Sequence, residues 1–192
     1  MRVKKRICVF CGASLGARPE YAEAAEALGR LMAKEQWGLV YGGTKIGLMG
    51  RIADAVLAGG GEAIGVLPRS LVEKEIAHPD LNQLLIVDSL AERKQHMFDL
   101  SDAFAALPGG LGTLDELSEM LTWAQLGYHQ KPVALLNTGG YFDSLLDFLR
   151  HAASEGLVRE KHLALLGVAE SPETLLRLVS GGAGSGAVAA GA

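Results

Sequence analysis

The chain alternates short apolar runs with longer stretches of helical periodicity along almost its whole length. Short apolar runs bounded by turn residues are typical of buried strands, and apolar residues spaced by three and four positions are typical of helices. Several of the short runs are apolar throughout, as strands are when helices cover both faces of their sheet. The pattern predicts an α/β fold, namely a three-layer, Rossmann-like, doubly wound, mostly parallel sheet with helices on both faces.

Turn and capping residues place the element boundaries. Pro19 favours a helix start, as do Ser171 and Pro172 near the C-terminus. The predicted strands cover residues 7–11, 38–42, 62–67, 84–88, 103–107, 132–137 and 163–169. The predicted helices cover residues 19–36, 47–60, 91–102, 113–127, 141–156 and 171–180. No repeat or linker interrupts this pattern, so residues 1–180 are expected to form a single domain and the Gly/Ala-rich residues 181–192 a disordered tail.

Composition narrows the class of protein. The 192 residues are 49% hydrophobic and carry a formal net charge of -4. A nucleic-acid binder usually presents a basic face, and the only basic cluster here is the N-terminal segment MRVKKR, which we expect to be a solvated terminus. No apolar stretch reaches the roughly 18 residues of a membrane span, and no cleavage site follows the basic start. We therefore expect a soluble, cytoplasmic protein that binds neither nucleic acid nor membrane.

The cysteines and histidines do not indicate redox or metal chemistry. Cys8 and Cys11 would face opposite sides of a strand and lie about 10 Å apart, too far for a disulfide, so we expect them to be core residues. The five histidines form no H-x-x-x-H pair and have no cysteine partners in sequence. The sequence thus predicts neither a metal site nor a cofactor.

Three of the predicted strand-to-helix turns are rich in glycine and hydroxyl side chains. They read CGASLG at 11–16, YGGTKIGLMG at 41–50 and PGGLGT at 108–113. In a parallel sheet these turns share the edge where ligands bind. Glycine lets the backbone approach an anion, and the helix that follows offers unpaired amides and a partial positive charge. The three turns together predict a phosphate-binding crevice.

The common nucleotide fingerprints do not fit these turns. The second turn lacks the Gly-Lys-Ser/Thr ending of a P-loop, and Leu114 occupies the place of the third small residue of G-x-G-x-x-G. A mononucleotide or sugar phosphate is therefore favoured over a triphosphate or dinucleotide. The candidate substrate-binding residues of the three turns are Ser14, Gly43, Thr44, Met49, Gly109, Gly110, Gly112 and Thr113.

Two carboxylates, Asp115 and Glu116, follow the third turn. One interpretation is a capping box in which Thr113 begins a helix and Glu116 bonds back to it. The other is a functional acid beside a bound ligand. Two like charges 4 Å apart at an effective dielectric of about 20 repel by ~4 kcal/mol, so the second interpretation requires a nearby cation. Arg93 and Lys94 are candidates, although a solvated helix face would pair such an arginine with a neighbour such as Glu92 or Asp99.

Five segments taken in order resemble the LOG ("Lonely guy") family of cytokinin riboside 5′-monophosphate phosphoribohydrolases, often labelled lysine decarboxylases. They read YGGTKIGLMG, ERKQHM, LPGGLGTLDE, TWAQLGYHQKPVALLN and YFDSLLDFL. The resemblance implies a Rossmann-like homodimer and leaves open whether larger assemblies form. It also implies that the protein hydrolyses the N-glycosidic bond of an adenine-type nucleoside 5′-monophosphate. In that family the matching arginine and glutamate, here Arg93 and Glu116, are the catalytic pair. The glycine-threonine element binds the phosphate, and residues matching Glu75 and Lys94 line the substrate site.

The chain departs from the family pattern in two places. Leu90 and Ala91 occupy positions where members commonly carry Met-His, a change that alters the wall of the substrate site near the adenine base. Thr44 occupies a position where many members have glycine. Trp123 and Leu126 favour core or dimer surface over a shelf for base stacking.

A non-catalytic nucleotide sensor or carrier is the main alternative function. A pyridoxal-phosphate decarboxylase is the second, although Lys45, Lys94 and Lys131 lack the sequence context of a Schiff-base lysine.

Overall fold

Seven strands form one sheet in the computed structural model, which describes Val3, residues 5–72 and residues 77–181. The strands are β1 (Lys5–Phe10), β2 (Trp37–Tyr41), β3 (Ala63–Pro68), β4 (Gln83–Val87), β5 (Ala103–Ala106), β6 (Val133–Leu136) and β7 (Leu166–Ala169). Their order is β4-β3-β2-β1-β5-β6-β7, and every neighbouring pair is parallel. The predicted fold class is confirmed. The tail, apart from Gly181, lies outside the described residues.

The helices are α1 (Pro19–Lys34), α2 (Gly47–Ala58), α3 (Arg69–Val72), α4 (Leu90–Asp99), α5 (Leu111–Gln125), α6 (Asp143–Ser154), α7 (Glu160–Leu163) and α8 (Pro172–Val179). The sequence did not predict α3 and α7, because four residues are too few to show a helical period. It also placed the start of α5 at Thr113, which was wrong. The cap residue is Gly110, so Thr113 is already the third residue of the helix.

Two apolar layers cover the sheet. Side chains of α1, α2 and α8 pack on one face, and side chains of α4, α5, α6 and α7 pack on the other. Cys8 and Cys11 belong to opposite layers, and both are free and buried. This confirms that they are core residues. Among the helices in the described part of the chain, none is long and apolar enough to cross a membrane.

The strand order reverses direction between β1 and β5. From β1 the chain winds outward through β2, β3 and β4, and it then returns to place β5 on the other side of β1. The turns after β1 and β5 therefore diverge onto opposite faces and leave a crevice beyond their carboxyl ends, where α/β proteins bind ligands. The first and third glycine-rich turns meet at this point, where the amide of Gly12 donates to the carbonyl of Pro108 at 3.0 Å.

The contact between α1 and α2 generates a prediction about stability. A Cβ atom at Gly29 would lie 2.7 Å from the backbone oxygen of Ile52 and 2.8 Å from the Cβ of Ala55. Gly29→Ala gains helix propensity, but we expect the overlap to prevail and to lower the free energy of unfolding by about 1–3 kcal/mol in urea titration. Gly112→Ala is the matched control, because nothing lies within 4 Å of a Cβ there. Equal stability of the two variants would contradict the prediction.

Candidate active site

A cleft of about 230 Å³ opens beyond the carboxyl ends of β1 and β2. The end of β1, the turn after β2, one side chain of α4 and the first turns of α5 form its walls. The lining residues are Val9, Phe10, Cys11, Gly12, Ala13, Gly42, Met49, Arg93, Gly110, Gly112, Thr113 and Glu116. A crevice is thus present at the predicted edge of the sheet, and it brings together residues of all three glycine-rich turns.

Arg93 reaches the cleft from the first turn of α4. Ser89 caps this helix by accepting a hydrogen bond from the amide of Glu92, which settles where the helix begins. The guanidinium Nε then donates to the carbonyl of Val66 in β3 at 3.0 Å. Gly42 makes room for the same group, because a Cβ there would lie 2.5 Å from Nη2 of Arg93 and 2.6 Å from the sulfur of Met49.

Glu116 faces Arg93 from the second turn of α5. Nη1 of Arg93 lies 3.2 Å from Oε1 of Glu116, and the two side chains are only 15% and 10% exposed. The interpretation of Arg93 as a solvated residue paired with Glu92 or Asp99 is therefore wrong. The capping-box interpretation is also wrong, because Glu116 lies inside the helix and pairs across the cleft. The cation that the functional interpretation requires is present.

Burial controls the protonation of Glu116. Loss of solvent raises the pKa of its carboxyl from 4.5 to about 7, against the opposing effect of the Arg93 charge. The negative charge of Asp115 raises this pKa further, and Lys94 lowers it. An acid that titrates near neutral pH inside a cleft is typical of a functional group.

The carboxylate next to Glu116 in the chain, Asp115, has a different partner. Asp115 lies 3.0 Å from the ammonium of Lys94, which also lies 3.1 Å from Glu119. Burial alone would lower the pKa of Lys94, but its hydrogen bonds with the two carboxylates raise it overall. The two adjacent acids thus have separate partners. Lys94 joins α4 to α5 and is not among the residues that line the cleft.

The third glycine-rich turn combines one closely packed glycine with two open ones. A side chain at Gly109 would overlap the hydroxyl of Thr113 and lie 3.0 Å from the amide of Gly12. Nothing lies within 4 Å of a Cβ at Gly110 or Gly112. Among the described residues, the amide of Gly110 has no hydrogen-bond acceptor. The open glycines at the start of a 15-residue helix form a surface that suits an anion.

A second hollow of about 450 Å³ adjoins the cleft and shares Gly12, Ala13 and Gly110 with it. Ser14 and Gly109, both predicted site residues, line this hollow. Its other walls are mostly apolar or aromatic and consist of Leu15, Gly16, Tyr21, Leu48, Pro108 and Tyr141. The two hollows meet above the glycine turn at the start of α5.

Lys94 and three other predicted site residues lie outside both hollows. Thr44 is fully buried, and its hydroxyl lies 3.8 Å from the sulfur of Met49, so it supports a residue that lines the cleft. Gly43 packs its backbone against Gly65 of β3. Leu90 is 59% exposed at the start of α4. Glu75 lies outside the described residues.

Sequence reasoning missed several lining residues. Phe10 gave no signal, because an aromatic residue in a buried strand is expected in any core. Gly42 lies within the second glycine-rich turn but was not singled out. Tyr141 was assigned only to the start of a helix, although its hydroxyl donates to the carbonyl of Gly109 at 2.5 Å. No local pattern could reveal a contact that spans 32 residues.

Curated proteins are similar in sequence to this chain over most of its length. The chain is 46% identical over 173 residues to cytokinin riboside 5′-monophosphate phosphoribohydrolase LOG7 of Arabidopsis thaliana, which covers 90% of this chain and 80% of that protein. It is 47% identical over 173 residues to LOG1 of the same plant, with 90% and 81% covered.

Solved structures share the fold. The molybdenum cofactor binding protein of Rippkaea orientalis has a TM-score of 0.69 at 28% identity, with 94% of this chain and 98% of that chain covered. The molybdenum cofactor carrier protein of Chlamydomonas reinhardtii has a TM-score of 0.71 at 22% identity, with 93% and 97% covered. The family model described as possible lysine decarboxylase matches residues 49–179. The chain therefore belongs to the LOG family.

Proposed function

We propose that this chain hydrolyses the N-glycosidic bond of an adenine-type nucleoside 5′-monophosphate, a cytokinin riboside 5′-monophosphate or AMP, to the free base and ribose 5-phosphate. The observation that carries the proposal is the buried pair of Arg93 and Glu116 beside an open glycine turn in one cleft. The curated relatives are named as phosphoribohydrolases of this kind. The pair supplies an acid for the sugar, and the turn supplies amides for the phosphate.

The glycine turn is assigned to the 5′-phosphate. Gly110, Gly112 and Thr113 line the cleft at the start of α5, where unpaired amides and the helix dipole favour an anion. Phosphate binding at this end fixes the position of the ribose relative to Glu116. Binding energy from a part of the substrate that does not react thereby aligns the reacting carbon.

Glu116 is assigned to the anomeric carbon. Cleavage of a ribosyl C–N bond builds positive charge on the sugar, as in glycoside hydrolysis, so a carboxylate beside C1′ stabilises the transition state more than the ground state. The electron pair of the C1′–N bond leaves with the base, and water supplies a hydroxyl to C1′ and a proton to the base. Glu116 either attacks C1′ first to form an ester that water hydrolyses, or acts as the base towards that water. Arg93 keeps the carboxylate in place and favours its ionised form, because its positive charge opposes the rise that burial causes in the pKa of Glu116.

Two alternatives are less well supported. A carrier or sensor of the nucleotide would gain little from burying an acid in the cleft, since the acid would repel a bound phosphate. A pyridoxal-phosphate decarboxylase needs a lysine that can form a Schiff base. Among the described residues, no lysine lines the cleft: Lys45 is exposed, Lys94 is paired with two carboxylates, and Lys131 donates to the carbonyl of Phe98 at 2.7 Å.

Removing either member of the buried pair should abolish most of the activity. We expect Glu116→Gln and Arg93→Ala to reduce the kcat of adenine release from AMP by at least about a hundredfold, measured by chromatography. Asp115→Asn is the matched control, since this adjacent acid pairs with Lys94 outside the cleft, and it should stay within about threefold of the unaltered chain. Wild-type turnover in either pair variant would exclude the assigned roles. Saturable AMP binding without adenine release over hours would favour the carrier.

The dependence of activity on pH follows from the raised pKa of Glu116. The carboxylate is the active form, so kcat/KM should rise with pH as one proton leaves and should level off above about 7. Asp115→Asn removes a charge that raises this pKa and should move the rise to lower pH. A flat profile between pH 5 and 8, or a shift of the rise to higher pH in that variant, would contradict the assignment.

We also propose that the chain forms a homodimer. The segment at residues 121–129 carries exposed apolar side chains at the end of α5, of which Leu126 is 58% exposed. Such a surface is typical of an interface between subunits. Sedimentation equilibrium should give twice the mass of the 192-residue chain, and Leu126→Asp should shift the mass towards that of one chain. A monomer at all concentrations of the unaltered chain would exclude the dimer.

A further inference from the structure

We infer that Tyr141 is a positioning residue for the phosphate end of the substrate, an inference that rests on the proposed function. Its hydroxyl donates a hydrogen bond to the carbonyl of Gly109 at 2.5 Å. By holding that carbonyl, Tyr141 orients the peptide unit that joins Gly109 to Gly110. The amide of Gly110 is thereby directed towards the anion.

The peptide unit transmits the effect. A trans peptide is planar, so its C=O and N–H groups point in opposite directions, and fixing the carbonyl of Gly109 fixes the amide of Gly110. Glycine on both sides of this bond would otherwise let the unit rotate easily. A rotated unit would turn a carbonyl oxygen towards the phosphate, and the two negative groups would repel. The hydrogen bond selects the orientation that attracts the anion.

Aromatic contacts aim the hydroxyl. The ring of Tyr141 packs edge-on against Tyr21 with ring centroids 5.5 Å apart, and against Phe142 at 4.9 Å. Tyr21 is buried in α1, and Phe142 is buried at the start of α6, so both partners are fixed by the core. Tyr141 itself remains 41% exposed in the wall of the second hollow. A rigid ring therefore carries one polar atom to the edge of the glycine turn.

The position of this hydrogen bond argues against a role in stability alone. It joins two loops at the surface, where water would replace the lost partner in the absence of the hydroxyl, so its net contribution to folding is small. The amide that it orients has no acceptor among the described residues and borders both hollows. The benefit of the bond is therefore expected in ligand binding.

The test compares Tyr141→Phe with Tyr128→Phe, which removes the same hydroxyl from a tyrosine that lines neither hollow. Tyr128 lies in the segment proposed as the dimer surface, and the change keeps its apolar ring there. AMP binding is measured by calorimetry in chains that also carry Glu116→Gln, so that no turnover occurs. We expect Tyr141→Phe to raise the Kd for AMP about tenfold and Tyr128→Phe to leave it unchanged. With Glu116 intact, Tyr141→Phe should raise KM by a similar factor and leave kcat within about twofold. Both variants should keep the melting temperature of the parent.

A second measurement follows the amide directly. In protein labelled with ¹⁵N-glycine, the Gly110 resonance should move when inorganic phosphate or AMP is added, and Tyr141→Phe should reduce this movement. Any one of four results would overturn the inference. They are an unchanged Kd, a fall in kcat at constant KM, a fall in melting temperature beyond that of the control, and a Gly110 resonance that does not move when phosphate is added. If the unaltered chain releases no base from AMP or from a cytokinin riboside 5′-monophosphate while Tyr141→Phe still weakens AMP binding, the proposed function fails and the role of Tyr141 stands.

Discussion

The ion pair between Arg93 and Glu116 is the interaction on which the rest of the site depends. A carboxyl group as buried as Glu116 would bind a proton more tightly still without its partner, because burial disfavours the charged form. Arg93 comes from the helix after β4, is anchored to β3 through the carbonyl of Val66, and meets an acid from the helix after β5. The pair therefore requires the strand order that brings these helices to one crevice beside β1.

The backbone of the crevice depends on close approach between loops. Gly12 links the turns by donating to Pro108 and accepting from Leu48, each at 3.0 Å. Gly109 packs against Gly12 and Thr113 with no room for a side chain, whereas Gly110 and Gly112 face open space. Glycine thus has two roles within four residues. One glycine allows the loops to touch, and the other two leave the amides accessible.

Local patterns predicted most of the fold, because strand and helix periods are properties of neighbouring residues. All seven strands were found within three residues of their bounds. The start of α5 was misplaced, because the spacing of Thr113 and Glu116 matches a capping box, whereas the helix is capped at Gly110 and Glu116 pairs with Arg93. The contacts of Lys94 with Asp115 and of Tyr141 with Gly109 join distant segments. Only the assembled sheet brings such segments together.

The burial of Glu116 also affects how strongly the chain resists unfolding. Its pKa is higher in the folded chain than its ordinary value, so its contribution to stability is fully present below pH 4.5 and is lost as the pH rises through about 7. A difference of this size corresponds to about 3 kcal/mol, a substantial part of the stability of a typical domain. The ionised state, which is the form of Glu116 proposed to act on the sugar, is thus the state in which this side chain supports the native structure least. At this position, the charge proposed for catalysis and the thermodynamic stability of the folded chain oppose each other.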